Sequence, residues 1–215
     1  AKLMRRLIEA EGEQRASDTM RQNMMVSDKK IELRRSVAEN ERRITSLSKP
    51  NSYSLYVSIP FCPTKCSYCS FVSNTIQQAG NLLPEYLEKL CCELDKTAAY
   101  PEKFGLKLET IYIGGGTPGV LMPEQLDVLM KKISKCFDIS SVREYTVELG
   151  RPDVITLEKL RAVKENGAGR VSINPQTMND EILGAIGRKH TSNQIFEAFN
   201  AARSLDLAVN MDMIA

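Results

Sequence analysis

The sequence predicts an α/β protein with a parallel sheet, preceded by a small helical segment. Three observations support this fold class. Short apolar segments alternate with amphipathic stretches from residue 53 onward, the first 49 residues contain neither tyrosine nor phenylalanine, and a cysteine triplet directly follows the first apolar segment. Strands that alternate with helices pair in parallel, because each helix carries the chain back to the start of the next strand.

Residues 1–50 form a polar segment that we expect to be helical. Apolar residues recur at helical spacing near its start, and a Ser-Asp pair offers a cap for a second helix. These positions are Leu3, Met4, Leu7, Ile8, Ser27, Asp28, Ile31 and Val37. Twelve basic residues against eight acidic ones leave two interpretations open, a docking or RNA-contacting arm and a small helical bundle with solvated charged faces.

Residues 51–215, which follow the joint at Pro50-Asn51-Ser52, form the predicted α/β domain. Its expected strands are Ser54–Ile59, Thr110–Ile113, Glu144–Leu149, Arg170–Asn174 and Ala208–Met213. Helices are expected to begin at Pro84 and Pro123, where proline suits a first turn, and to cover 156–166, 179–187 and 192–205. Five such units do not close a barrel. We therefore expect a partial barrel that is incomplete at its C-terminal end. Either the chain is truncated, or a partner completes the barrel.

Composition excludes several classes of protein. Apolar residues make up 42% of the chain, and no run approaches the roughly 20 residues needed to cross a bilayer. The net charge of +2 predicts no strong field for nucleic acid. We therefore expect a cytoplasmic protein without a membrane span and without a nucleic-acid partner.

The triplet Cys62, Cys66 and Cys69 is the feature that points to chemistry. A four-iron cluster held by three cysteines keeps one iron free of protein, and that position can bind a substrate or cofactor. Structural zinc sites show four ligands, usually in Cys-x2-Cys pairs, and the single histidine, His190, lies far along the chain. Disulfides are disfavoured because the chain shows no signal peptide and is long for a disulfide-stabilised domain.

The remaining cysteines, Cys91, Cys92 and Cys136, need no catalytic role. Cys91 falls on the apolar face of a predicted helix, and Cys136 precedes the predicted core residue Phe137. A free cysteine in such a place behaves as a small apolar residue, so we expect all three to pack in the core.

A glycine run, Gly114 to Gly116, follows the second predicted strand. Barrels of this type place the loops after their strands over the active face, and glycine allows the backbone to approach a ligand closely. Joined to the cysteine triplet, the run predicts a cofactor loop.

Together these two motifs resemble those of the radical S-adenosylmethionine enzymes. The segment Tyr56-Val-Ser-Ile-Pro-Phe-Cys62 is similar to the opening of the oxygen-independent coproporphyrinogen III oxidases, which usually have histidine where this chain has Ser58. Ser172-Ile-Asn-Pro-Gln-Thr and Gly187-Arg-Lys-His-Thr191 resemble the coproporphyrinogen dehydrogenase branch called HemZ. The likeness runs from about Tyr53 to the last residue.

The resemblance implies a [4Fe-4S] cluster on Cys62, Cys66 and Cys69 and S-adenosylmethionine beside it. The positions that match the family's cofactor contacts are Tyr56, Tyr68, Gly115, Gly116, Thr117, Glu148, Gln176, Arg188 and Asp212. Each has an ordinary alternative: a strand-end glutamate is often a solvated rim residue, and an arginine often complements a helix C-terminus. Asp212 differs, because an acid in an apolar strand must find a partner or water if it is buried.

The implied reaction begins when the reduced cluster cleaves S-adenosylmethionine to methionine and a 5'-deoxyadenosyl radical, so no residue need act as a general base. The electron would come from a low-potential donor such as ferredoxin or flavodoxin. In the coproporphyrinogen oxidases the radical removes a hydrogen from a propionate, which loses carbon dioxide and an electron to become vinyl, and two such events give protoporphyrinogen IX.

The predicted substrate is therefore a porphyrinogen. Its four propionates call for basic anchors, and Arg151 is a candidate, with a surface loop arginine as the alternative. Two other functions on the same scaffold stay open, a heme-binding chaperone and a radical methyltransferase that opens heme.

Overall fold

The computed structural model describes residues 2–71 and 73–214. The chain divides into two units, Ala1–Pro50 and Asn51–Ala215. Each unit has its own cluster of buried apolar side chains.

The N-terminal unit consists of helices α1 (Lys2–Glu11), α2 (Glu13–Asn23) and α3 (Asp28–Thr45). The sequence predicted two helices, and the difference arises at Gly12, whose φ of +83° interrupts the helical path between α1 and α2. The core of this unit contains Met4, Ala16, Met20, Ile31 and Ala38. Leu3 and Val37, which belong to the periodic pattern, are exposed.

The second unit is built on a sheet whose strands all pair in parallel, in the order β1-β4-β5-β6-β7. These strands are β1 (Ser52–Ile59), β4 (Lys107–Gly115), β5 (Glu144–Gly150), β6 (Arg170–Gln176) and β7 (Ala208–Met213). Two short strands, β2 (Phe61–Cys62) and β3 (Asn74–Thr75), pair with each other. Each main strand lies where the sequence predicted one, and β4 extends beyond its predicted limits at both ends.

Helices connect the strands of the main sheet. They are α4 (Ile76–Ala79), α5 (Leu83–Thr97), α6 (Ala99–Lys103), α7 (Pro123–Cys136), α8 (Leu157–Glu165), α9 (Asp180–Ala185) and α10 (Ser192–Ser204), with 3-10 turns at Gly80–Leu82, Pro118–Val120 and Pro152–Val154. Helix α5 packs against α7, α7 against α8, and α8 against α10.

The helices thus follow one another in the same order as the strands. Right-handed crossovers that always advance in one direction build an arc of a (β/α) barrel rather than a sheet wound in two directions. Across the described residues the arc stays open between β1 and β7. The predicted partial parallel barrel is confirmed.

The core of the α/β unit lies between the sheet and its helices. Strands contribute residues such as Ile113, Val147 and Ile173, and α7 contributes Leu126 and Ile133, all of them inaccessible to solvent. Within residues 2–71 and 73–214, none of the helices has both the length and the apolar character that a bilayer crossing requires.

The prediction that three cysteines pack in the core was wrong for Cys92, which is exposed. Successive residues of a helix point about 100° apart, and on α5 this rotation carries Cys92 from the half-buried position of Cys91 to the solvent. Cys91 is half-buried, and Cys136 packs against the core with its Sγ 3.5 Å from Asp95 Oδ1. Burial raises the pKa of the Cys136 thiol, which therefore stays protonated and weakly nucleophilic.

Candidate functional site

The carboxyl ends of the main strands surround a cavity of about 190 Å³. All but one of the predicted site residues line it: Cys62, Cys66, Cys69, Tyr68, Gly115, Gly116, Thr117, Glu148, Arg151, Gln176, Arg188 and Asp212. Sequence reasoning missed five further lining residues, Thr64, Lys65, Phe71, Ser73 and Asn174. Parallel strands bring these positions together because all of them end at the same edge of the sheet.

The cysteine loop, residues 62–69, leaves the sheet directly after β1. The pairing of Phe61 with Asn74 and of Cys62 with Thr75 closes its base. The backbone N–H of Cys69 donates to the Cys66 carbonyl at 3.1 Å, and Cys62 Sγ accepts a hydrogen bond of 3.5 Å from Thr117 Oγ1.

In the described ranges, no three His, Cys, Asp or Glu side chains lie close enough to share a single metal ion. A cubane cluster does not require them to do so, because each of its cysteine thiolates binds a different iron. The cysteine loop therefore supplies the thiol donors that a cluster uses, although they do not converge on one point.

The glycine loop after β4 lies directly against the cysteine loop. Gly116 N–H donates to the Ile59 carbonyl at 2.9 Å, and Thr117 N–H donates to the Phe61 carbonyl at 2.8 Å. A Cβ added at Gly116 would stand 2.7 Å from the Phe61 carbonyl oxygen and 3.0 Å from Cys62 Sγ. Gly115 has a φ of +109°, which only glycine adopts without strain. The two loops approach each other this closely because these residues lack side chains.

Glu148 is a half-buried carboxylate near the end of β5. Asn174 Nδ2 donates to its Oε1 at 2.7 Å, and the Tyr112 hydroxyl also hydrogen-bonds to it. Burial raises the pKa of Glu148, and these hydrogen bonds only partly offset that effect. The carboxylate is therefore held in place within the cavity and is not a freely solvated rim residue.

Tyr56 is the predicted site residue that does not line the cavity. It is 56% exposed, and its ring stacks on that of Tyr112 with the centroids 5.9 Å apart and the planes 7° from parallel. Tyr112 in turn hydrogen-bonds to Glu148. The contact between Tyr56 and the predicted cofactor residues thus runs through Tyr112.

Arg188, in the loop after α9, contacts both β6 and the cysteine loop. Its Nη1 donates to the Asn174 carbonyl and its Nη2 to the Tyr68 hydroxyl at 3.3 Å. Two buried polar atoms here, Asn174 Oδ1 and Arg188 Nε, have no hydrogen-bond partner among the residues that the structure describes. Buried polar groups are normally paired, so this acceptor and this donor suit a polar ligand in the cavity.

The ends of β6 and β7 complete the wall. Gln176, the last residue of β6, is buried and has a φ of +69°, a strained conformation of the kind that concentrates at ligand sites. Asp212 is exposed, so its charge does not require a buried partner, and it accepts a hydrogen bond of 3.0 Å from Asn210 Nδ2.

Arg151 is 2% exposed, so the alternative that it is a surface loop arginine was wrong. Its Nε and Nη2 form paired bonds of 3.0 and 2.9 Å to the two carboxylate oxygens of Asp153, and its Nη1 donates to Thr64 Oγ1. The 3-10 turn Pro152–Val154 follows Arg151 directly, and the sequence contains no signal for the burial of this arginine.

The residues present fit the expected cofactors. Three thiols lie on one loop, a glycine-lined backbone lies beside them, and the same cavity is lined by Asn174 and Arg188, each of which has an unpaired buried polar atom among the described residues. These features suit an iron–sulfur cluster with a polar, amino-acid-containing ligand next to it.

A family model described as the radical SAM superfamily matches residues 56–215. The chain belongs to the radical SAM superfamily. Enzymes of this superfamily use a [4Fe-4S] cluster and S-adenosylmethionine, so the predicted cofactors are confirmed.

Among its relatives, the oxygen-independent coproporphyrinogen-III oxidase-like protein HemZ of Bacillus subtilis is 35% identical over 216 residues, which cover 99% of this chain and 43% of HemZ. The heme chaperone HemW of Bacillus subtilis is 39% identical over 163 residues, covering 75% of this chain and 42% of HemW. The chain thus spans about two-fifths of the length of these curated relatives. The predicted likeness to the HemZ branch is confirmed.

The solved structure of coproporphyrinogen III oxidase HemN from Escherichia coli, described as a radical SAM enzyme, superposes with a TM-score of 0.63. It is 27% identical, and the match covers 74% of this chain and 36% of HemN. The partial barrel is therefore shared with a relative that is a coproporphyrinogen III oxidase.

Proposed function

We propose that this chain is the cofactor-binding part of a radical enzyme that converts coproporphyrinogen III to protoporphyrinogen IX without oxygen, in heme biosynthesis. The observation that supports this function is the extent of the HemZ match, which covers 99% of the chain, whereas the HemW match covers 75%. A match of that extent includes the helical N-terminal unit as well as the barrel.

In this proposal, Cys62, Cys66 and Cys69 hold the cluster. When bound, the cluster and S-adenosylmethionine together supply a carbon-centred radical that removes hydrogen from the substrate. The glycine loop, Tyr68, Glu148, Gln176, Arg188 and Asp212 bind and orient S-adenosylmethionine, and Tyr56 supports them through Tyr112.

The chain's own residues need not move a proton in this reaction. Each propionate loses one hydrogen atom, one electron and carbon dioxide as it becomes a vinyl group, and the electron passes to a one-electron acceptor. The protein's tasks are to bind, to orient and to exclude side reactions. A low-potential one-electron donor such as ferredoxin or flavodoxin would reduce the cluster. The proposed location is the cytoplasm, whose reducing conditions keep cysteine thiols free.

An anaerobic assay of the full-length protein tests the proposal. The protein is reconstituted with iron and sulfide and given S-adenosylmethionine, reductant and coproporphyrinogen III, and products are read by chromatography and mass. Protoporphyrinogen IX together with 5'-deoxyadenosine is the expected result. Deoxyadenosine without a porphyrin product would contradict the proposed substrate and direct the search to heme, where a methylated linear tetrapyrrole would reveal a methyltransferase.

The three cysteines are tested by single alanine variants, each compared with Cys92→Ala, an exposed thiol on α5. Each of the three variants should lose the cluster's absorbance and S-adenosylmethionine cleavage, because the cluster would lose one thiolate. The control should retain both properties. Retention of the absorbance in all three variants would falsify the ligand assignment.

A second candidate is heme binding without turnover. It is favoured by the 39% identity to the heme chaperone HemW of Bacillus subtilis. Stoichiometric binding of heme combined with no conversion of porphyrinogen, in the same anaerobic preparation, would support this function over the first.

A further inference from the structure

The cysteine loop is held by side chains that come from distant parts of the sequence. Thr64 Oγ1 donates to the Gly187 carbonyl at 2.9 Å and accepts a hydrogen bond from Arg151 Nη1. The backbone N–H of Ser67 donates to the Ile186 carbonyl at 3.2 Å. Two segments, the end of β5 and the loop after α9, therefore meet on this loop between its first and third cysteines.

Arg151 is the most deeply buried of these contacts. Each of its three guanidinium nitrogens already has a partner within the chain, two on Asp153 and one on Thr64. A bidentate arginine–carboxylate pair fixes direction as well as distance, because its two parallel hydrogen bonds resist rotation. Thr64 thus meets a rigid donor at the edge of the cavity.

His190 backs the carboxylate of this pair. Its side chain is fully buried, and its Nδ1 lies 3.7 Å from Asp153 Oδ1, longer than a hydrogen bond. Neither ring nitrogen has a hydrogen-bond partner in the part of the chain that the structure describes. The buried imidazole therefore lies beside Asp153 and adds no hydrogen bond to the Arg151–Asp153 pair.

We propose that Arg151 is a positioning residue for the iron–sulfur site, which acts through Thr64 to hold the cysteine loop in the arrangement that accepts the cluster. The proposal rests on the assignment of the cluster to Cys62, Cys66 and Cys69 and is independent of the substrate. It replaces the predicted role of Arg151 as a propionate anchor, since the guanidinium nitrogens are committed to Asp153 and Thr64.

The test compares Arg151→Gln, Arg151→Lys and Thr64→Val with Arg161→Gln, an exposed arginine on α8. The full-length protein is reconstituted anaerobically, and three quantities are measured: iron and sulfide per chain, the rate of iron loss to a chelator, and the electron paramagnetic resonance spectrum of the reduced cluster. Thermal unfolding of the cluster-free variants reports whether they fold.

Arg151→Gln and Thr64→Val should lose iron about 10-fold faster than the unsubstituted protein and show an altered spectrum, as substitutions behind metal ligands typically do. Arg151→Lys should not rescue these properties, because an ammonium cannot form the paired bonds. Thr64→Val leaves the Arg151–Asp153 pair in place, so it tests the contact even if the Arg151 variants fail to fold. The Arg161 control should match the unsubstituted protein.

Unchanged iron retention and spectrum in both Arg151→Gln and Thr64→Val would overturn the proposal. If KM for porphyrinogen then rises in Arg151→Gln, the arginine is a substrate anchor instead. If the unsubstituted protein itself assembles no cluster, the ligand assignment fails as well, and that result is distinct from a failure of the variants alone.

Discussion

A single methyl group at Gly116 would collide with the cysteine loop. The added Cβ would lie 2.7 Å from the Phe61 carbonyl oxygen, which is backbone and cannot move aside easily. We expect Gly116→Ala to lower the free energy of unfolding by about 1–3 kcal/mol and to reduce the iron content after reconstitution.

The matched control for Gly116→Ala is Gly184→Ala on α9, where an added Cβ has no neighbour within 4 Å. Alanine in a helix should be neutral or stabilising there. Urea unfolding of the cluster-free protein and iron analysis give both quantities. Equal stability and full iron content in Gly116→Ala would contradict the close-contact interpretation.

Asp153 should make stability depend on pH. Burial alone would raise its pKa, but the His190 ring 3.7 Å away and the paired hydrogen bonds and charge of Arg151 outweigh burial and hold the pKa well below the ordinary value. Its contribution is therefore present above the pKa of an unfolded aspartate, about 3.9, and is lost as pH falls through the lower folded pKa.

Asp153→Asn should thus destabilise the protein by about 3 kcal/mol at pH 7, because Arg151 would lose its carboxylate. The difference between the two proteins should shrink as pH falls below about 4. Urea unfolding at pH 7, 5, 4 and 3 measures it. A difference that stays constant across this range would show that the carboxylate charge does not contribute.

At the scale of elements, Lys159 joins α8 to two turns. The side chain is buried, and its Nζ donates to the Gly119 carbonyl at 2.6 Å and to the Val154 carbonyl at 2.9 Å. Burial lowers the pKa of Lys159, so the hydrogen bonds must compensate for the loss of water around its charge.

Lys159→Ala should cost about 2–3 kcal/mol, because it leaves two inward-facing carbonyls without a donor. Lys164→Ala, an exposed position on the same helix, should change the free energy of unfolding by less than about 0.5 kcal/mol. Chemical denaturation of the unsubstituted protein and of the two variants measures these changes in the free energy of unfolding. Similar losses in both variants would mean that the pair of hydrogen bonds does not explain the effect.

At the scale of the whole molecule, the two units have separate cores that share no residue. The segment between α3 and β1 is exposed along most of its length. Limited digestion of the full-length protein with subtilisin should therefore cut first between residues 46 and 52, because proteases prefer exposed turns. N-terminal sequencing of the products checks this. A first cut inside either core would contradict the division.

The elements of the barrel could be predicted closely because their signals are local. The strand Glu144–Gly150 contains aromatic and β-branched residues that favour strands, and proline marks the start of α7. The prediction was wrong where a single residue matters. Gly12 interrupts the helical path of the backbone between α1 and α2, and Cys92, one position from the apolar face of α5, points its side chain to the solvent. Asn174 was missed because its partners, Glu148 and Arg188, come from other elements.

By itself, the sequence determined the cysteine triplet, the glycine loop and the alternation of strands and helices, since each depends on neighbouring residues. Tertiary structure decided which side chains meet around them. Arg151 and Thr64 are 87 positions apart, and the register of the parallel strands brings the ends of β1 and β5 to the same edge. Local spacing can encode a ligand set, but the packing of distant segments decides how that ligand set is held.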